Sequence, residues 1–191
     1  RDRDQREKLE AELERLRERL PAVDPETDAL DPWLRLHLAA QRCEETYAEF
    51  QHRLRVTDLD FPHRRQDVRA GTVFMGLGPY LGQQQKYVVL LFDEAHEVAA
   101  YSKRFLGEEL RWPQRHNLGL GRSLLFVTSP EFGGWLRDDT AMHVHLVYDV
   151  VHMLVDGYRQ YGHDTPVWFK TGLAQWWSRR IDPRYPNFDR P

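Results

Sequence analysis

The residues best suited to catalysis or metal binding lie in one apolar segment, AMHVHLVYDVVHMLVDGY, at positions 141–158. Drawn as a helix, this segment places five polar side chains within about 100° of one another on the circumference. They are His145, Tyr148, Asp149, His152 and Asp156. Valine and leucine cover the rest, which predicts a helix buried on most of its surface. Because each unpaired buried polar group costs about 1–3 kcal/mol, we expect polar partners opposite this stripe.

One interpretation of the stripe is a metal site. His145, Asp149 and His152 stand at i, i+4 and i+7, a spacing that can present nitrogen and oxygen ligands along two helical turns. The outer two are separated by about 10 Å of rise, so one ion would be held by His145 with Asp149, or by Asp149 with His152. His143 or His163 would then contribute from a loop, and zinc is the metal that this ligand set suits.

A hydrogen-bonded seam is the other interpretation, and the one we favour. The imidazoles of the stripe would donate to its carboxylates, and Tyr148 would close the network without any cofactor. Two further histidines, His116 and His163, are expected to lie in loops and to face solvent.

Other catalytic signatures in the chain are incomplete. The letters DEAH at 93–96 follow an apolar run, as in nucleotide hydrolases, but the chain has no GxxxxGK[ST] loop to hold phosphates. We interpret Asp93 as a helix cap instead, with Val98, Tyr101 and Phe105 on the buried face of that helix. GLGPYLG at 76–82 is interpreted as a turn, and no serine lies in a G-x-S-x-G context.

The periodicity predicts a mixed α+β fold, in which a small mixed sheet packs on helices behind an N-terminal helical extension. Residues 1–30 are expected to form a coiled-coil-like helix and a proline-rich turn, and residues 31–191 the main domain. A helix capped by Asp31 begins the main domain, followed by one or two short strands within 55–85. Next come a strand over 87–92, a helix from near Asp93, a polar crossing over 111–122 and a strand over 124–128. Helices over 140–157 and 167–180 follow.

A leucine repeat marks the N-terminal helix. Leu9, Leu13, Leu16 and Leu20 follow the a/d rhythm of a short coiled coil. The helix would serve dimerisation or docking, or it would be the end of a longer helix or a strut that lies on its own domain. We favour the end of a longer helix or a strut, because isolated helices this short are marginal in water.

Charge and hydropathy exclude two kinds of partner. The 191 residues carry a net charge of −3, which gives no general attraction to nucleic acid. No apolar run reaches the roughly 20 residues that a membrane span requires. We therefore expect neither a nucleic-acid partner nor a membrane span in this chain.

Two segments resemble the zinc-binding helices of zincin peptidases. Zincins carry HExxH on one helix, and the gluzincin branch adds a third ligand from a second helix, in a segment like P-x-W-L-x-E-G-L-A. Here YDVVH at 148–152 resembles the first motif and PVWFKTGLA at 166–174 the second. The stretch from about residue 86 to 180 is similar to a peptidase MA-like, gluzincin domain of the small bacterial kind, with its two-helix site frame at 140–180.

The resemblance implies a degenerate HExxH site. Tyr148 stands where the family has its first histidine ligand, Asp149 where it has the general-base glutamate, and Thr171 where it has the third-ligand glutamate. His152 alone matches the family. One imidazole with a phenol and a hydroxyl falls short of the three protein ligands of a catalytic zinc.

We therefore expect a catalytically inactive, peptidase-like domain, a pseudoenzyme that acts as a structural or protein-binding module in a larger assembly. The leucine repeat and the pair Trp176 and Trp177 are its candidate partner contacts. The alternative is a metal-dependent peptidase or hydrolase whose site is relocated to His145, Asp149 and His152 on the 140–157 helix. A cleft filled by Tyr148 or Lys170 would argue against this alternative.

Overall fold

The computed structural model describes residues 3–27, 29–57, 87–117, 124–159 and 166–185. These residues form a mixed α+β fold, as predicted, with five α-helices, a three-stranded sheet and one 3-10 turn at Trp135–Arg137. The helices are α1 (Arg3–Arg17), α2 (Pro32–Leu54), α3 (Ala95–Phe105), α4 (Asp139–Arg159) and α5 (Val167–Arg179). The strands are β1 (Val88–Leu91), β2 (Gln114–Asn117) and β3 (Leu124–Thr128). Positions 58–86 are not among the described residues. The strands predicted within 55–85 therefore lie outside them beyond position 57, and so does the turn predicted at 76–82.

The chain divides into two compact units, residues 1–45 and 46–191, and the division lies inside α2. In the first unit the leucine face of α1 is buried against α2 and the connecting turn. This cluster consists of Leu9, Leu13, Leu16, Val23, Leu34 and Leu38. The leucine repeat is therefore covered within its own unit, as in the strut interpretation, and the prediction that it contacts a partner is wrong.

Polar contacts add to the packing of the first unit. Arg42 Nη2 lies 2.6 Å from Glu12 Oε2, and both side chains are largely buried. Gln41 Nε2 donates to the backbone oxygen of Glu12 at 3.0 Å. The predicted start of α2 is confirmed, since Asp31 Oδ1 accepts the backbone N–H of Leu34 at 2.8 Å.

The strand order in the sheet is β1-β3-β2, with β1 parallel and β2 antiparallel to β3. The strand β2 was predicted as a polar crossing, which is wrong. Its sequence, QRHN, shows no apolar alternation, and its strand conformation comes from backbone pairing with β3. Residue His116 therefore lies on a strand and not in a loop.

Neighbouring residues of β3 point to opposite faces of the sheet. Val127 of β3 packs in one cluster with Val98 of α3. Phe126, its neighbour, points to the opposite face, where its ring centroid lies 5.5 Å from that of His145 on α4. Because Arg115 of β2 is paired with Phe126, its side chain shares the α4 face of the sheet.

The start of α3 differs from the prediction. The helix begins at Ala95 after an N-cap at Glu94, whose backbone N–H donates to Glu97 Oε2 at 3.3 Å. The backbone N–H of Ala95 donates to Glu131 Oε2 at 2.9 Å. The N-cap is thus Glu94 and not Asp93. The carboxylates of Glu97 and Glu131 accept the backbone N–H groups at the start of the helix, which have no partner within it.

The predicted buried face of α3 is partly right. Val98 is fully buried, whereas Phe105 is 63% exposed at the end of the helix. Tyr101 is half-buried and lies with its ring centroid 4.7 Å from that of Phe105. Phe105 is therefore a surface residue and not part of the core.

A tight turn leads into α4. Gly133 and Gly134 have φ values of 67° and 70°, which favour glycine, and a Cβ on Gly133 would lie 2.6 Å from Trp135 Nε1. The turn brings the Trp135 ring centroid to 5.9 Å from that of His145. Asp138 Oδ1 then accepts the backbone N–H of Ala141 at 2.9 Å and caps α4. No helix among the described residues is both long and apolar enough to cross a membrane.

Candidate functional site

The polar stripe of α4 is buried, as its sequence predicts. Tyr148, Asp149, His152 and Asp156 are each no more than 5% exposed. Burial of this kind requires partners. Among the residues that the structure describes, two cations reach the stripe from other elements, Arg115 from β2 and Lys170 from α5.

Arg115 pairs with Asp149. Its Nη1 donates to Asp149 Oδ1, and its guanidinium carbon lies 5.8 Å from the centroid of the Tyr148 ring. The Asp149 side chain is 7% exposed and that of Arg115 is 26% exposed. The pair therefore joins the edge strand β2 to the middle of α4, with the carboxylate as its buried end.

His145 contacts the other oxygen of the same carboxylate. Its Nδ1 lies 3.1 Å from Asp149 Oδ2, and its ring meets Phe126 and Trp135 edge-on. Burial lowers the pKa of His145, Asp149 opposes this effect, and the charge of Arg115 lowers the pKa further. The neutral imidazole is thus favoured between two aromatic rings and a guanidinium.

Lys170 pairs with Asp156 at the other end of the stripe. Lys170 Nζ donates to Asp156 Oδ1 at 2.7 Å, and their side chains are 14% and 6% exposed. Burial raises the pKa of Asp156, and the hydrogen bond and charge of Lys170 oppose this effect. The pair connects α4 to α5 one residue before Thr171.

The remaining site residues occupy separate positions. The rings of Tyr148 and His152 have centroids 4.8 Å apart. Thr171 is half-buried on α5, and His143 is half-buried on α4 and not in a loop. Within the described ranges no group of three or more His, Cys, Asp and Glu residues has an arrangement that could hold a metal ion.

The prediction that His116 faces solvent is wrong. Its side chain is 15% exposed on β2, and its Nδ1 lies 4.0 Å from Glu108 Oε1. Burial lowers the pKa of His116, and Glu108 opposes this effect. His163 lies outside the described residues.

Sequence reasoning missed Arg115 altogether. Its strand carries no apolar alternation, and its partner Asp149 lies 34 positions later, so no local pattern connects the two. Lys170 gave a signal, because a lysine inside the apolar segment PVWFKTGLA needs an anion when the helix packs. The stripe on α4 was predicted, but the cations that the structure shows on it belong to β2 and α5.

The comparisons with known proteins add no family. No protein-family model, curated protein or solved structure gives a significant match to this chain. The likeness to gluzincins therefore stays a prediction that rests on the residues of α4 and α5.

Replacing His152 with alanine is expected to lower the free energy of unfolding by about 2–4 kcal/mol, because the change leaves a cavity under the buried ring of Tyr148. Thermal and urea unfolding followed by circular dichroism measure the loss. His96→Ala is the matched control, since the His96 side chain is 76% exposed on α3. An unchanged melting temperature for the His152 variant would rule out a structural role for this ring.

Proposed function

We propose that this chain is a catalytically inactive, gluzincin-like domain that binds another protein and does not cleave it. The observation that carries the proposal is the guanidinium of Arg115 on the carboxylate of Asp149. Asp149 stands at the position of the family's general base, the group that must accept a proton from metal-bound water. In this chain that carboxylate already holds a permanent cation on one oxygen and an imidazole on the other.

Electrostatics support the same conclusion. A zinc ion shared by Asp149 and His152 would bring two positive charges close to the guanidinium of Arg115. The resulting repulsion in a buried site would oppose metal binding, since charge interactions there are poorly screened. Arg115 and His145 already contact the two carboxylate oxygens that such an ion would use.

The position of Lys170 supports the proposal as well. Its ammonium lies on Asp156, in the helix turn that follows His152. By the resemblance to gluzincins, the neighbouring residue, Thr171, replaces the third metal ligand. A cation is thus held next to the position where the family would need a carboxylate.

Exposed aromatic residues support a binding role. Phe105, Trp112 and Trp168 are 63%, 62% and 75% exposed in the second unit. Such side chains leave large apolar areas in water, and coverage by a protein partner would remove that cost.

The test is zinc content combined with peptide hydrolysis. The purified chain, analysed as isolated and again after zinc exposure and desalting, is expected to hold zinc well below stoichiometry, with no dependence on His152. It is expected to leave a mixture of fluorogenic peptides uncleaved, with and without a chelator. Stoichiometric zinc that is lost in His152→Ala, together with chelator-sensitive cleavage, would contradict the proposal and favour the relocated hydrolase.

A restored variant tests the family resemblance separately. It combines Tyr148→His, Asp149→Glu and Thr171→Glu with Arg115→Gln, which removes the guanidinium. If the frame is that of a gluzincin, this variant is expected to take up about one zinc ion per chain. A folded variant that binds no zinc would contradict the resemblance, whatever the wild-type chain does.

A further inference from the structure

The solvent face of α5 is apolar. At about 100° per residue, Trp168, Phe169, Gly172 and Trp176 fall within about 100° of one another, opposite the fully buried Ala174. Trp168 is 75% exposed, Phe169 44% and Trp176 47%. We call these four residues the α5 face. Three large aromatic side chains on one exposed helix face are typical of an interface, because tryptophan is enriched among the residues that contribute most to binding free energy.

Gly172 forms a notch in this face. It stands one turn after Trp168 and one turn before Trp176, and a Cβ placed on it would meet no atom of the described residues within 4 Å. The two indoles are therefore about 12 Å apart along the axis, with open space between them. A ridge of large side chains from another helix fits such a groove.

The C-terminal end of the α5 face is cationic. The guanidinium carbons of Arg53 and Arg180 lie 5.1 and 5.0 Å from the centroid of the Trp176 ring. Both side chains donate to the same atom, Glu49 Oε1, at 2.7 Å, and Arg179, the residue before Arg180, is exposed. In the part of the chain that the structure describes, one carboxylate thus faces two arginines, and Arg179 adds a third positive charge to this end of the face.

We propose that the α5 face docks an acidic amphipathic helix of a partner protein. Large aliphatic side chains of that helix would enter the notch at Gly172 between Trp168 and Trp176. Its carboxylates would meet the guanidinium groups of Arg53, Arg179 and Arg180. This inference rests on the proposed function and names the surface and the class of partner for it.

The test uses fluorescein-labelled peptides that are constrained to be helical. Each carries leucine on one face and either glutamate or lysine on the other, and binding is measured by fluorescence anisotropy at two salt concentrations. The glutamate peptide is expected to bind with a Kd in the micromolar range and to weaken at high salt, whereas the lysine peptide binds at least about tenfold more weakly. No detectable binding of the glutamate peptide, or equal binding of both, would overturn the proposal.

Variants locate the binding on α5. Trp168→Ser and Arg180→Glu are each expected to weaken the glutamate peptide about tenfold or more, and Gly172→Gln to do so by filling the notch. Trp33→Ser and Arg17→Glu are the matched controls, because Trp33 is 50% exposed, the Arg17 side chain is 48% exposed, and both residues belong to the first unit. Equal losses in the controls would overturn the assignment to the α5 face.

Two further outcomes concern dimerisation of the chain and hydrolysis. A wild-type chain that is a dimer, and becomes a monomer in Trp168→Ser, would show that a second copy covers the face and would overturn the proposal of a foreign helix. Zinc-dependent hydrolysis with intact peptide binding would contradict the proposed inactivity and leave the α5 face supported. Loss of peptide binding alone does not contradict the proposed inactivity, since the α5 face contains none of the residues of the α4 stripe.

Discussion

Replacing Arg115 with methionine is expected to lower the free energy of unfolding by about 3 kcal/mol at pH 8, because it leaves the Asp149 carboxylate charged and buried. The Asp149 side chain is 7% exposed and cannot reach water without local opening. Methionine keeps most of the aliphatic length of arginine, so the loss reports the charge more than the packing. Urea unfolding at constant pH measures the difference.

The opposite change is the control. Asp149→Asn leaves a guanidinium that is 26% exposed and can turn toward solvent, so the expected loss is smaller, about 1–2 kcal/mol. A double variant, Arg115→Met with Asp149→Asn, should recover part of the sum of the two losses, which measures the coupling between the groups. Additive losses would mean that the pair contributes nothing to stability.

The cost of the Arg115 change should depend on pH through His145. The pKa of His145 is lowered by burial, with Asp149 opposing and Arg115 adding to the effect, so removing Arg115 raises it. In the wild type, the stability contributed by the neutral imidazole is lost as pH falls below about 6.5, because the unfolded chain binds the proton more readily. In the variant this loss is smaller, since a protonated His145 can neutralise Asp149.

The destabilisation by Arg115→Met should therefore be smaller at pH 5.5 than at pH 8. Urea unfolding at both values measures it, and a proton NMR titration of the His145 ring gives the pKa in both proteins. A pKa of His145 that does not rise in the variant would show that Arg115 does not act on this imidazole.

Replacing Lys170 with methionine is expected to lower the free energy of unfolding by about 2–3 kcal/mol at pH 7, because Asp156 then lies buried without its cation. The pKa of Asp156, already raised by burial, should rise further once Lys170 no longer opposes the shift. A carboxyl group whose pKa is raised in the folded state gains stability as pH falls through that pKa. The loss should therefore shrink between pH 7 and pH 5.

Two control variants accompany this measurement. Lys103→Met removes an exposed lysine from α3 and is expected to change stability by less than about 0.5 kcal/mol. In a chain that carries Asp156→Asn, the Lys170 change should lose its pH dependence. A pH-independent loss in the single variant would show that packing, and not the charge of Asp156, determines the effect.

Elements with strong local signals were predicted closely. The bounds of β3 agree with the prediction residue for residue, because a short apolar run that follows a glycine-containing segment is typical of a strand. The cap at Asp31 and the following proline fixed the start of α2 in the same way. The strand β2 was missed because its four polar residues pair through the backbone, and backbone pairing leaves no trace in side-chain periodicity.

Only the α4 part of the candidate site was predicted from the sequence. The spacing of the stripe on α4 required polar partners, and their existence follows from the cost of burying charge. Their identity depends on the fold, since Arg115 reaches Asp149 only when β2 lies beside β3. The contacts of Trp176 and Trp177 also depend on the fold. Trp176 is 47% exposed, whereas Trp177 is buried and its indole N–H donates to Glu49. Trp177 is thus a core residue, and its prediction as a partner contact is wrong.

The glycine turn before α4 restricts which residues natural variants of this chain can carry there. Any side chain at Gly133 would need an unfavourable backbone conformation and would also push the indole of Trp135 away from His145. Natural variants of this chain should therefore retain glycine at 133 even where the surrounding loop changes. Gly172 carries neither constraint, so its retention across variants would reflect selection for an open notch on α5 and not the needs of folding.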